Sequence, residues 1–120
     1  MSETHSSGDD AIQGLREALR ASPNNSALRL LLADTLLNHG HGEDAEKEFR
    51  EGLALSPNSS PMKLGLARAF FQQGKQSHAL VILEDLVKDP KAPPRAFLLH
   101  AKILAGIGEI QQAVTEYKRA

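Results

Sequence analysis

The sequence predicts an all-α chain, a short solenoid of antiparallel helix pairs, on three observations. Apolar residues fill 41% of the 120 positions but aromatic ones only 4%, with no Trp, so the core is built mainly of Leu and Ala, which favour packed helices over sheet. The chain repeats itself every 34 residues: Ala11, Ala45, Ala79 and Ala113 are in register, and four places further on stand Leu15, Phe49, Leu83 and Tyr117. Gly40, Gly74 and Gly108 keep the same spacing, each five residues ahead of a recurring alanine, which marks a turn before a helix in each copy.

Taken in order, Met1 to Gly8 is small and polar and reads as a disordered leader, with Asp9 or Asp10 placed to cap the first helix. A helical-repeat domain then runs over 9–120. Ala33, Ala67 and Ala101 lie seven residues before the glycines. Together with the first alanine set they let two antiparallel helices approach closely, while Phe49 or Leu83 fills the space beside them. Spacing of i, i+4 and i+8 gathers Leu28, Leu32 and Leu36, then Met62, Leu66 and Phe70, into a core stripe. Pro23 and Pro57 follow helix ends, where a missing N–H and a fixed φ stop one helix and open the next turn. Gly52 takes a place held elsewhere by Ala18 and Ala120 and reads as a small packing contact.

This pattern closely resembles the tetratricopeptide repeat: 34 residues, small residues at the eighth and twentieth places, an aromatic residue or Leu at the twenty-fourth, and Pro at the thirty-second. The resemblance covers about Asp9 to Ala120, with units at Ser26–Ser59 and Ser60–Pro93, a third from Pro94, and the second half of an earlier one in "AIQGLREALRASPNN". Seven helices and a right-handed solenoid are implied. Departures are Arg29 and Lys63 at the usual large first-helix place, His100 where Leu32 and Leu66 precede it, and Lys91 for the expected proline, with Pro90, Pro93 and Pro94 around it.

The resemblance also implies a function, because a stacked solenoid presents a repeated inner surface to a partner. The face that would line this concave groove carries Leu30, Asp34, Leu37 and Asn38 in the first unit, Leu64, Arg68, Phe71 and Gln72 in the second, and Leu98 with Lys102 in the third. A protein or peptide segment with apolar side chains and some carboxylates would fit it, either extended or as an amphipathic helix. Members of the family that grip the carboxylates of chaperone tails use Lys at the fifth place and Asn at the ninth. Here those places hold Leu30 and Asp34, then Leu64 and Arg68, which argues against that clamp.

Other classes find little support. Fourteen Lys and Arg against 15 Asp and Glu leave a net charge of −1, too balanced to draw the chain onto nucleic acid or an anionic membrane. A Leu-rich inner face with so few bases also argues against base-by-base RNA reading. With no Cys, thiolate metal sites and Cys nucleophiles are excluded. His39 with His41, Ser77 with His78 and Asp85, and Asp44 with Glu48 form no catalytic or metal constellation. Ser77 reads as a helix cap, and Gly106 to Gly108 as a helix end and turn rather than a phosphate loop. The expectation is therefore no enzyme, no cofactor and no metal. His100 at a core place reads as a hydrogen-bonded histidine. Glu43 with Lys47 and Glu46 with Arg50 read as i,i+4 pairs on a solvated face.

No secretory leader and no apolar run of about 18 residues is present, so a cytoplasmic location is the expectation. The last helix begins near Ile110 and breaks off at Ala120 without a polar capping helix. This implies the N-terminal docking part of a longer protein, in the manner of bacterial repeat modules placed ahead of an AAA-type ATPase. The alternative is a self-associating adaptor that dimerises through the uncapped C-terminal helix.

Overall fold

In the computed structural model, which describes residues 7–120, seven helices follow one another: α1 (Ser7–Ala21), α2 (Ser26–Asn38), α3 (Gly42–Leu55), α4 (Ser60–Gln72), α5 (Gln76–Leu86), α6 (Pro94–Gly106) and α7 (Ile110–Arg119). The 34-residue period of the sequence is also the period of the backbone. Helices α2, α4 and α6 start at Ser26, Ser60 and Pro94, and α3, α5 and α7 at Gly42, Gln76 and Ile110. Arg29, Lys63 and the proline cluster therefore leave the helix starts in register. The cluster instead accompanies an early end to α5, which has 11 residues against 14 in α3.

Each first helix ends in the same way. Gly40, Gly74 and Gly108 adopt φ of 82°, 79° and 92°, a left-handed conformation that glycine enters without Cβ strain. The residue after each glycine then donates its N–H to the carbonyl five residues back, His41 to Leu36, Lys75 to Phe70 and Glu109 to Leu104, all at 2.8 Å. That bond satisfies a carbonyl the helix would otherwise leave open. At the other end, Asn25 and Ser59 cap α2 and α4 by accepting the N–H of Leu28 and Met62. Ser77 is not the cap expected of it: Lys75 holds that position, no side chain closes it, and Ser77 lies inside α5. The helix starts two residues earlier because the glycine turn, not the serine, sets its phase.

Packing follows the repeat. Ala33, Ala67, Ala101, Ala45 and Ala79 are fully buried and Ala113 nearly so, where facing helices cross most closely. Ala11 is exposed, and among the described helices α1 packs only against α2. The Phe49 ring rests on Gly65 of α4, where any Cβ would collide with it, and Met62 lies in the same way over Gly52 of α3. Leu32, Leu36, Met62, Leu66 and Phe70 are buried as their spacing requires, while Leu28 is only half-buried.

The leader was expected to reach Gly8, but α1 begins at Ser7. Gly8 is buried against the ring of His39, which would have to shift to admit a Cβ there. Asp9 and Asp10 fall in the first turn of α1, where acidic side chains favour a helix N-terminus. Residues 1–6, and the leader expected there, lie outside the described residues. The whole measures 51 × 33 × 20 Å. Helices α2, α4 and α6 touch in series along one side, whereas α3, α5 and α7 do not touch one another. The inner row alone forms a continuous surface.

Candidate functional site

The ten residues expected to line a groove lie on these three helices, α2, α4 and α6, and differ in exposure. Leu98 is 45% exposed, Leu30 is half-buried, and Leu64 is 8% exposed. The middle helix α4 is flanked by both α2 and α6, so its leucine is covered from two sides, while α2 and α6 each have one inner neighbour. Leu37 is buried too, at 3% exposure. Asp34, Arg68 and Phe71 are half-buried, and Asn38, Gln72 and Lys102 are exposed. Leu64 and Leu37 therefore belong to the floor and the packing beneath it, not to a ladder of open leucines.

Two hollows lie along the groove and share Arg68 and Leu99. One, of 240 Å³, is lined by Arg68, Arg95, Leu98 and Leu99. The other, of 360 Å³, is lined by Leu37, Arg68, Phe71, Gln72, Leu99 and Lys102. Gln72 ties the walls by donating to the Leu37 carbonyl at 2.9 Å. The Lys102 ammonium stands 5.2 Å from the centre of the Phe71 ring, a cation–π distance that holds the charge over the apolar floor. Burial raises the Asp34 pKa, against the opposing pull of Arg68 and Arg95. None of Arg68, Arg95 and Lys102 forms an ion pair with a described residue. The groove thus gathers three cations, two of which, Arg68 and Arg95, act on the partly buried Asp34 carboxylate.

Arg95 and Leu99 were missed from sequence because a period-based comparison looks for recurrence. Their counterparts are Ala27 and Pro61, and Leu31 and Gly65. A helical stripe at Arg95, Leu98 and Lys102, spaced i, i+3, i+7, was the available signal.

The residues weighed as catalytic pairs are engaged elsewhere. Asp44 and Glu48 approach Arg16 at 3.8 and 4.0 Å, Glu48 also pairs with Arg29 at 2.6 Å, and the His78 ring packs 5.1 Å from that of Phe70. Glu46 does more than the solvated i,i+4 pair expected of it. Besides Arg50 at 2.8 Å it reaches Gln73 and Lys75 of the next repeat. Burial opposes its ionisation, but these partners outweigh that and hold its pKa below the usual carboxylate range. His100 is hydrogen-bonded, as its core place required: its Nδ1 lies 2.8 Å from Glu116.

No described helix is long and apolar enough to cross a membrane. No curated protein matches the sequence. Among solved structures the chain is similar to "Crystal structure of MamA" (22% identity, TM-score 0.79, covering 96% of this chain and 72% of that one). It is also similar to "Crystal structure of MamA protein" (23%, TM-score 0.80, 94% and 62%) and to "MamA RS-1 ArsTM double mutant" (13%, TM-score 0.82, 94% and 64%). It therefore spans less than two thirds of the last two. At these identities the likeness concerns the fold. The model of the tetratricopeptide repeat matches residues 6–52 and 43–103, and with the repeating helix pairs in place the chain belongs to the tetratricopeptide repeat family.

Proposed function

We propose that this protein is a non-catalytic interaction scaffold whose inner face, on α2, α4 and α6, holds a protein segment that carries carboxylates among apolar side chains. The observation that carries this reading is the set of Arg68, Arg95 and Lys102, unpaired with any carboxylate in contact, around an apolar floor of Leu98, Leu99 and Phe71. Cations with no carboxylate at ion-pair distance in a concave site favour an anionic occupant, because charge-assisted hydrogen bonds strengthen as that occupant excludes water.

Apolar contact alone is too small to hold a segment here. Burying what remains open of three large side chains gives roughly 3–5 kcal/mol gross, against roughly 4–15 kcal/mol for lost freedom on association. The cations must supply the rest, so binding weakens as salt rises. The segment is extended or helical; the two hollows, set side by side, admit either.

The test is capture from the source lysate with the wild-type chain and with Arg68→Glu, Arg95→Glu and Lys102→Glu combined, at low and high salt. These side chains are at least partly exposed, so the fold survives the change. The reading predicts bound proteins that are lost with the triple variant and with salt. Undiminished capture by the variant would place binding elsewhere on the molecule.

A further inference from the structure

The cations of the inner row are confined to one valley. Along α2, α4 and α6 the places in register read Ala27, Pro61 and Arg95, then Asp34, Arg68 and Lys102. At these places positive charge therefore stands only on α4 and α6, and the α2 end of the row is acidic. Arg68 and Arg95 both act on the Asp34 charge, and that charge repels a carboxylate running across the row toward α2. Lengthwise the valley differs. Arg95 and Lys102 are seven residues apart, two turns along one face of α6, which sets their backbone levels about 10 Å apart. Arg68 and Leu99 line both hollows, and Leu99 with Phe71 forms the apolar floor between the two levels. The Lys102 ammonium stays at the Phe71 end, 5.2 Å from the ring centre. A following inner helix does not cover these places. Ala27 and Pro61 remain exposed, and Asp34 and Arg68 half-buried, although an inner helix follows each of α2 and α4. Arg95 and Lys102 therefore stay accessible in a longer row as well.

We infer that the occupant lies lengthwise in the valley between α4 and α6, not across the three helices. It is an acidic segment with two carboxylates spaced to meet Arg95 at one level and Arg68 with Lys102 at the other, and with an apolar side chain between them on Leu99 and Phe71. This rests on the groove reading above and adds its register. In a polyproline II segment, with three residues per turn and a rise of about 3.1 Å, groups three residues apart share a face and stand about 9 Å apart. Two acids at that separation fit the two levels. A helical segment meets the same levels with acids seven residues apart. Adjacent carboxylates reach one level only.

Fluorescence polarisation with short, labelled, proline-containing peptides tests the register. The peptides share one composition, with one leucine and two glutamates, and differ in whether the glutamates are adjacent or three residues apart with the leucine between them. The spaced peptide binds about ten-fold more tightly, the gain from one further charge-assisted contact. Arg95→Ser, at an exposed residue, brings the spaced peptide down to the affinity of the adjacent one and leaves the adjacent one unchanged, with the helicity of the chain intact. Equal affinities for the two peptides, or equal losses for both in Arg95→Ser, would overturn the lengthwise register and leave the groove reading standing. Binding of neither peptide, even at low salt, would remove the groove reading and the register with it.

Discussion

The first and the third repeat each bury charge where a helical repeat usually keeps only hydrocarbon, and they manage it differently. In the first, Arg29 is 8% exposed. It donates to Glu48 at 2.6 Å, to Glu51 at 2.7 Å and to the carbonyl of Pro23 at 2.9 Å. In the third, the carboxylate is the buried member. Glu116 takes His100 on one oxygen at 2.8 Å and Arg119 on the other at 2.7 Å, while Arg119 also donates to the carbonyl of Val87 at 2.7 Å and covers the Phe97 ring at 4.5 Å. Both clusters tie a helix pair to the chain end of the helix before it, at Pro23 after α1 and at Val87 after α5. The difference lies in who can turn to water. The Glu51 side chain is 61% exposed and can exchange its partner for solvent, but the Glu116 side chain, at 7%, cannot. The third repeat therefore depends more on one ionised group than the first does.

Between the clusters the repeats meet through packing and through the polar contacts of Glu46, Gln72 and Gln73, and the packing provides the largest expected effect and a reference for the other two. Phe49→Ala should cost about 3–5 kcal/mol, with no dependence on salt or pH, read by urea denaturation. Glu116→Ala should cost about 2–4 kcal/mol, because it leaves His100 and Arg119 without their acceptor in a dry site. Glu51→Ala should cost less than about 1 kcal/mol, as for an exposed pair. Equal losses for the two glutamates would remove the distinction between the repeats.

Acid sharpens the comparison. Burial works against the charge of Glu116, but the hydrogen bonds from His100 and Arg119 outweigh it and hold its pKa below the ordinary value. A carboxylate with a depressed folded-state pKa adds stability that is complete above the unfolded value, about 4.3, and is lost as pH falls through the lowered one. Amide exchange in α6 and α7 should therefore rise on acidification below about pH 4, and Glu116→Gln should abolish that rise. The smallest expected effect has the opposite sign. Burial raises the pKa of Asp34 despite Arg68 and Arg95, so its charge is a cost at neutral pH, and Asp34→Asn should raise Tm slightly.

The repeat was legible because one spacing governs both the sequence and the backbone: the glycines at 40, 74 and 108 and the two alanine sets mark the turns and helix crossings directly. Contacts specific to one copy were not. Glu116 lies sixteen residues from His100, and nothing in its local sequence separates it from the surface glutamates of α3. Glu46 sits in an i,i+4 pattern that accounts for Arg50 but not for Gln73, which comes from the next repeat. In the groove, face assignment placed the right helices side by side, yet Leu64 and Leu37 sit where those helices touch, and a single-helix pattern does not record the neighbour that covers them. Arg95 lacked a recurring counterpart and stayed hidden for that reason.

The central claim is that partners are held on the inner row of helices. A photo-cross-linking residue placed at Leu98, exposed on α6 within the groove, can be compared in source cells with one at Val81, more exposed on α5 outside it. The account predicts a discrete adduct from position 98 that disappears when Arg68, Arg95 and Lys102 are reversed in charge, with none from position 81. Adducts from position 81 and none from position 98 would contradict it.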